Sequence, residues 1–139
     1  MFVLDASVAL AVLLGEAEAQ AAEGIIARVG EETAIVPAHF GLEIAGLIAR
    51  QIRIGALAED DGIALAREAA QWPVTVDTET AAQSLNRSLA LAIAHRLSAD
   101  DAAYLELCLR RSAPLATFDA RLAAIARIHG IRLLIPPPV

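Results

Sequence analysis

Short, wholly apolar runs alternate along this chain with longer stretches whose apolar residues recur at helical spacing. Phe2-Val3-Leu4, Thr33-Ala34-Ile35-Val36, Val74-Thr75-Val76 and Pro114-Leu115-Ala116-Thr117-Phe118 read as strands, and Ile131 to Ile135 as a fifth strand or edge segment. Helical patterns fill the intervals: Ser7 to Leu14, Glu16 to Val29, His39 to Arg53, Leu57 to Gln71, a long helix ending near His95, another after Ser98, and a last one opened by Asp119. Phe40, Ile44, Leu47 and Gln51 share one stripe, with Ile48 beside it and Glu43 on its border. Ala102, Leu105, Cys108 and Leu109 form a second stripe. Ser98-Ala99-Asp100-Asp101 is a capping signal, and Asp77-Thr78 or Thr80 is expected to cap the long helix.

Strands that alternate with helices, without hairpin signals, imply an α/β fold with a central, mainly parallel sheet of about five strands covered on both faces. At 139 residues and 57% hydrophobic composition, one domain is expected over residues 1–135. Residues 136–139, Pro-Pro-Pro-Val, form a Pro-rich tail that continues neither helix nor central sheet.

Composition then narrows the function. A net charge of −6 argues against a protein that coats nucleic acid by bulk electrostatics. It does not exclude a nuclease, because acids gathered in a site attract phosphate once divalent cations sit on them. Every basic side chain other than His is Arg, so Walker-type phosphate loops, which need Lys, are ruled out. Arg can still grip phosphates bidentately. The single Cys108 forms no intramolecular disulfide and reads as a small buried hydrophobe, as expected in a reducing cytoplasm. No apolar run reaches membrane-spanning length, and the N-terminus lacks the basic start of a signal peptide, so a cytoplasmic domain is expected.

Common catalytic motifs are missing: no Gly-x-Gly-x-x-Gly, no Gly-x-Ser-x-Gly and no His-Glu-x-x-His occurs. His95 and His129 end helices, where a cation is favoured, and His39 reads as a surface residue near a helix start. What remains is a set of carboxylates at element junctions: Asp5, Asp100, Asp101 and Asp119, with Glu43 on its helix. Each has an ordinary explanation as a cap, a dipole-complementing acid or a boundary residue. Carboxylates that converged on the carboxyl edge of a parallel sheet would repel one another, and a hard cation such as Mg²⁺ or Mn²⁺ is the natural remedy. Such an ion could activate water and stabilise a phosphoryl group in transfer, with Ser7 and Thr117 orienting the acids.

Four blocks carry a resemblance: Val3-Leu4-Asp5-Ala6-Ser7-Val8-Ala9-Leu10; Pro37 with Glu43 on the next helix; Leu97-Ser98-Ala99-Asp100-Asp101-Ala102-Ala103-Tyr104-Leu105; and Leu115-Ala116-Thr117-Phe118-Asp119. In this order the chain resembles PIN-domain ribonucleases, and in particular the VapC-type toxins of bacterial toxin–antitoxin pairs. The resemblance implies a three-layer α/β/α fold and Mg²⁺- or Mn²⁺-dependent endonucleolytic cleavage of RNA. It implies an acidic pocket of Asp5, Glu43, Asp101 and Asp119, supported by Ser7 and Thr117. Asp5, Asp101 and Asp119 are then the main metal-site acids, and Glu43 is a ligand or orients the attacking water.

Where the family usually carries one acid before Ala-x-Tyr, this chain has two. Asp101 directly precedes Ala102-Ala103-Tyr104, and adjacent helical residues point about 100° apart, so Asp101 is expected to face the pocket and Asp100 the solvent. The resemblance further implies a homodimer and an antitoxin partner that blocks the site, with no membrane association. Two rivals stay open because fold alone does not fix function: another Mg²⁺-dependent phosphate hydrolase, and a non-catalytic protein-binding module.

Overall fold

The computed structural model describes residues 1–135; the Pro-rich tail at 136–139 lies outside the described residues. Four strands form one sheet in the order β3-β2-β1-β4: β1 is Phe2–Leu4, β2 Ala34–Val36, β3 Thr75–Val76 and β4 Leu115–Ala116. Every pairing is parallel. β1 and β2 read as unbroken apolar runs because both their faces are covered; Phe2, Val3 and Leu4 are completely buried. The expected fifth strand is reduced to one parallel bridge, Leu115 with Leu133. The two-residue β4 offers Leu115 N–H and C=O to that segment, through Arg132 O and Leu134 N, and no further rung among the described residues.

The helices fall close to the periodic stretches: α1 Ala6–Leu13, α2 Ala19–Arg28, α3 Phe40–Arg53, α4 Glu59–Ala70, α7 Ala99–Arg111 and α8 Ala120–Ile128. The expected long helix is divided. α5, Thr80–Gln83, passes into a π-helical turn, Ser84–Ser88, before α6, Leu89–His95. Neither Asp77 nor Thr80 caps it: Glu79 occupies the cap position without a side-chain bond, and Thr80 Oγ1 instead donates to Asp77 Oδ2 at 2.8 Å. α7 starts as expected, with Ser98 Oγ accepting from Asp101 N. It is sealed well beyond one stripe, from Ala102 to Cys108, and this buried run includes Glu106. Cys108 is fully buried, and burial pushes its thiol pKa up, consistent with a packing role.

The parallel sheet matters because it gathers chain crossings. Asp5 N donates to Ala116 O and Asp77 N to Val36 O, so the residues following β1, β2, β3 and β4 all leave along one carboxyl edge. No helix among the described residues is long and apolar enough to cross a membrane.

Candidate active site

Asp5 is the best-fixed acid of this edge. It stands in the N-cap position of α1, yet its side chain makes no capping hydrogen bond. Ser7 Oγ donates to Asp5 Oδ2 at 2.6 Å, and Thr117 Oγ1 donates to the same oxygen at 2.5 Å. Ser7 Oγ also accepts from Phe118 N, and Thr117 Oγ1 from Asp119 N, so two hydroxyls tie the β1 exit to the β4 exit. Burial lifts the Asp5 pKa to about 6 against the pull of both hydroxyls, and the charges of Glu43 and Asp101 add to the lift.

The other acids arrive from three more elements. Asp119 caps α8, its Oδ1 accepting from Leu122 N at 2.7 Å. Asp101, in the first turn of α7, is half-buried, and its pKa is raised by burial and then by the charge of Asp119, with Glu43 and Asp100 contributing. Asp100 beside it is exposed, as the 100° offset requires. Glu43 rises from α3 with a quarter of its side chain accessible, while its Oε1 is sealed and lacks a hydrogen bond. Asp5, Glu43, Asp101 and Asp119 thus share one edge closely enough to perturb one another. Among the described residues no Arg pairs with any of them, and no three His, Cys, Asp or Glu side chains are gathered into a metal-holding group. The carboxylates ring the edge without forming a closed cage.

Two neighbours were not expected there. His39 is half-buried, not a surface residue: its Nε2 lies 2.9 Å from Glu43 Oε1, off the hydrogen-bonding direction, and its ring meets Tyr104 edge-on at 5.3 Å. Contact with Glu43 raises the His39 pKa against the opposing effect of burial. Tyr104 is completely buried, with its hydroxyl unpartnered. Burial pushes that phenol above its ordinary range, and the charges of Asp5 and Glu43 push further. His39 stands four residues before Glu43 and Tyr104 three after Asp101, helical spacings that place each beside its acid.

A second acid cluster went unread. Arg110 spends all five guanidinium N–H groups on carboxylates: Nε and Nη2 to Glu106, Nη1 and Nη2 to Asp77, and Nη1 to Glu79. The Glu106–Arg110 spacing was visible in the sequence, whereas Asp77 lies 33 residues away.

This parallel α/β architecture with an acid-lined carboxyl edge defines a class, and the PIN domain family matches the chain over residues 2–128. Ribonuclease VapC12 from Mycobacterium tuberculosis strain CDC 1551 / Oshkosh is 30% identical over 135 residues, covering 94% of this chain and 93% of the relative. The protein of the same name from strain ATCC 25618 / H37Rv aligns with the same figures. The chain therefore belongs to the PIN-domain family and, within it, stands with the VapC-type ribonucleases.

Proposed function

We propose that this chain is a metal-dependent endoribonuclease, the toxin of a toxin–antitoxin pair, which cuts RNA at the edge formed by Asp5, Glu43, Asp101 and Asp119. The observation that carries the reading is Asp5. A carboxylate at a cap position that does not cap, is oriented by two hydroxyls and is lifted to about pKa 6 with no Arg to balance it has no stabilising task of its own. The relatives are ribonucleases by name, which supports the reaction class.

The all-oxygen donor set and the mutual repulsion of the acids fit a hard cation. Asp5, Asp101 and Asp119 would hold it. Mg²⁺ or Mn²⁺ so bound would supply the charge that activates water and offsets negative charge on the phosphoryl oxygens. Ser7 and Thr117 keep Asp5 Oδ2 engaged and so fix which way its carboxylate faces. Glu43 keeps a quarter of its side chain accessible while His39 stands beside its sealed Oε1, and its remaining exposed part is suited to orient the attacking water.

Exposed apolar side chains on the helical segments, among them Leu42, Leu85 and Ile93, suit contact with an antitoxin and with a second copy of the chain in a homodimer. The cytoplasm, where RNA and both partners meet, is the compartment this reading requires. The test is cleavage of a total RNA pool by purified chain with Mg²⁺, with Mn²⁺ and with EDTA. Bands that need the metal and vanish in Asp101→Asn support the proposal; turnover of p-nitrophenyl phosphate without RNA cleavage would transfer the site to a phosphatase.

A further inference from the structure

Beside the acid edge lies a cleft of about 330 Å³ that none of the four acids lines. His39 and Leu42 of the α3 start, Ala81, Ser84 and Ser88 of the α5 and π-helical segment, and Asp100 of α7 wall it. It abuts the acids at two points: His39 touches Glu43, and Asp100 precedes Asp101. Two features of the wall single it out. Ser88, only 3% exposed, is one of its lining residues, so what surface it keeps faces the cleft. The π-helical turn that brings both Ser84 and Ser88 to the cleft replaces the tighter α-helical ladder, a departure frequent at functional sites.

The chemistry of the walls selects an occupant. Apart from Asp100 and His39 the lining is apolar or hydroxylic, and no Arg contributes to it, so the cleft repels phosphate and suits a flat, neutral group. Leu42, three-quarters exposed at the rim, offers that group an apolar face. The Asp100 carboxylate offers acceptors only.

We propose that the cleft takes one unpaired nucleobase flanking the scissile phosphate, with Asp100 and Ser88 reading its edge and guanine preferred. Guanine presents N1–H and N2–H side by side, matching two carboxylate oxygens. Adenine and cytosine bring an amino donor next to a ring acceptor, and uracil sets its one imino donor between two carbonyls. Single-stranded RNA is the form in which such an edge is free. This proposal rests on the ribonuclease reading and names the specificity of that site.

The test maps cut positions in single-stranded RNA of random sequence for the wild type, for Asp100→Asn and for Ala81→Phe, which fills the cleft from an exposed helical position. Wild type is expected to favour guanine at one flanking position by about tenfold, within the range of bidentate base contacts. Asp100→Asn, which gives up one acceptor, and Ala81→Phe should both flatten that ratio. A wild type without base preference, or a preference unchanged in both variants, overturns the proposal. If no RNA is cut, the ribonuclease reading fails separately, and titration of ¹⁵N-labelled chain in EDTA decides the cleft. Shifts at the Ser84, Ser88 and Ala103 amides with guanosine, weaker with uridine and absent in Ala81→Phe, uphold it. Shifts with neither nucleoside, or only with a basic leucine-rich peptide, overturn it.

Discussion

Asp5 and Asp77 leave the same edge of the same sheet, after β1 and β3, and are about equally hidden, at 5% and 4% exposure. Their carboxyls nevertheless shift in opposite directions. Burial dominates at Asp5 and lifts it to about 6; burial also pushes Asp77 up, but Arg110, with help from Thr80, outweighs it and holds the group below its usual range. One cluster of acids was built around an arginine that belongs to the chain; in the other only Glu43 has a basic neighbour, His39, and Asp5 has none. A buried acid alone therefore says little about function; the missing counter-charge is what marks a site.

The comparison is broken most forcefully by removing the resident cation. Arg110→Met leaves Asp77 and Glu106 buried and uncompensated, and should cost about 3–5 kcal/mol in urea unfolding while cleavage per folded molecule persists. Adding Asp77→Asn and Glu106→Gln should recover most of that loss, since the penalty lies in the unpaired charges. On the other side, Asp101→Asn should lower cleavage by about 10²–10³-fold and leave the urea midpoint almost unchanged, the reverse pattern.

Asp5 sharpens the contrast through pH. Its folded-state pKa is raised above 3.8, so the native state binds the proton more tightly than the unfolded chain, and stability is lost as pH rises from 4 through 6. Asp5→Asn, which keeps an acceptor for Ser7 and Thr117, should therefore be more stable than wild type by about 3 kcal/mol at pH 8. That gain should fade toward pH 4, a trend that melting curves across this range would check. Thr117→Val gives the smallest effect, about a tenfold loss of cleavage from a misoriented Asp5, with the folded state retained.

How much could be read from the chain follows from the range of each interaction. The alternation of apolar runs and helical stripes fixed the layers, because burial on two faces imposes it locally. Asp5, Asp101 and Asp119 were legible as junction acids since a strand end or a cap signal lies within three residues of each. The preference for Asp101 over Asp100 came from the family resemblance, in which the acid directly precedes Ala102-Ala103-Tyr104, and the helical angle added only that one of the two faces the pocket. The Arg110 cluster was not legible, because Glu106 sits in a buried helical run and takes its meaning from Asp77, one strand exit away. His39 was misread for a related reason: its partner Tyr104 comes from α7. The division of the long helix left no composition signal in Ser84-Leu85-Asn86-Arg87-Ser88 that helical periodicity could detect.

The pairing of β1 with β4 carries one more consequence, for a ribosome making this chain. β1 can pair with β2 early, but its other edge waits for a partner that begins at Leu115, and Asp5 is oriented by Thr117 only when that partner has docked. A nascent chain that stalls or is truncated before this point holds some of its carboxylates but not their arrangement. On the ribosome, the arrangement of the site is thereby tied to the docking of β4 and not to the synthesis of the acids themselves.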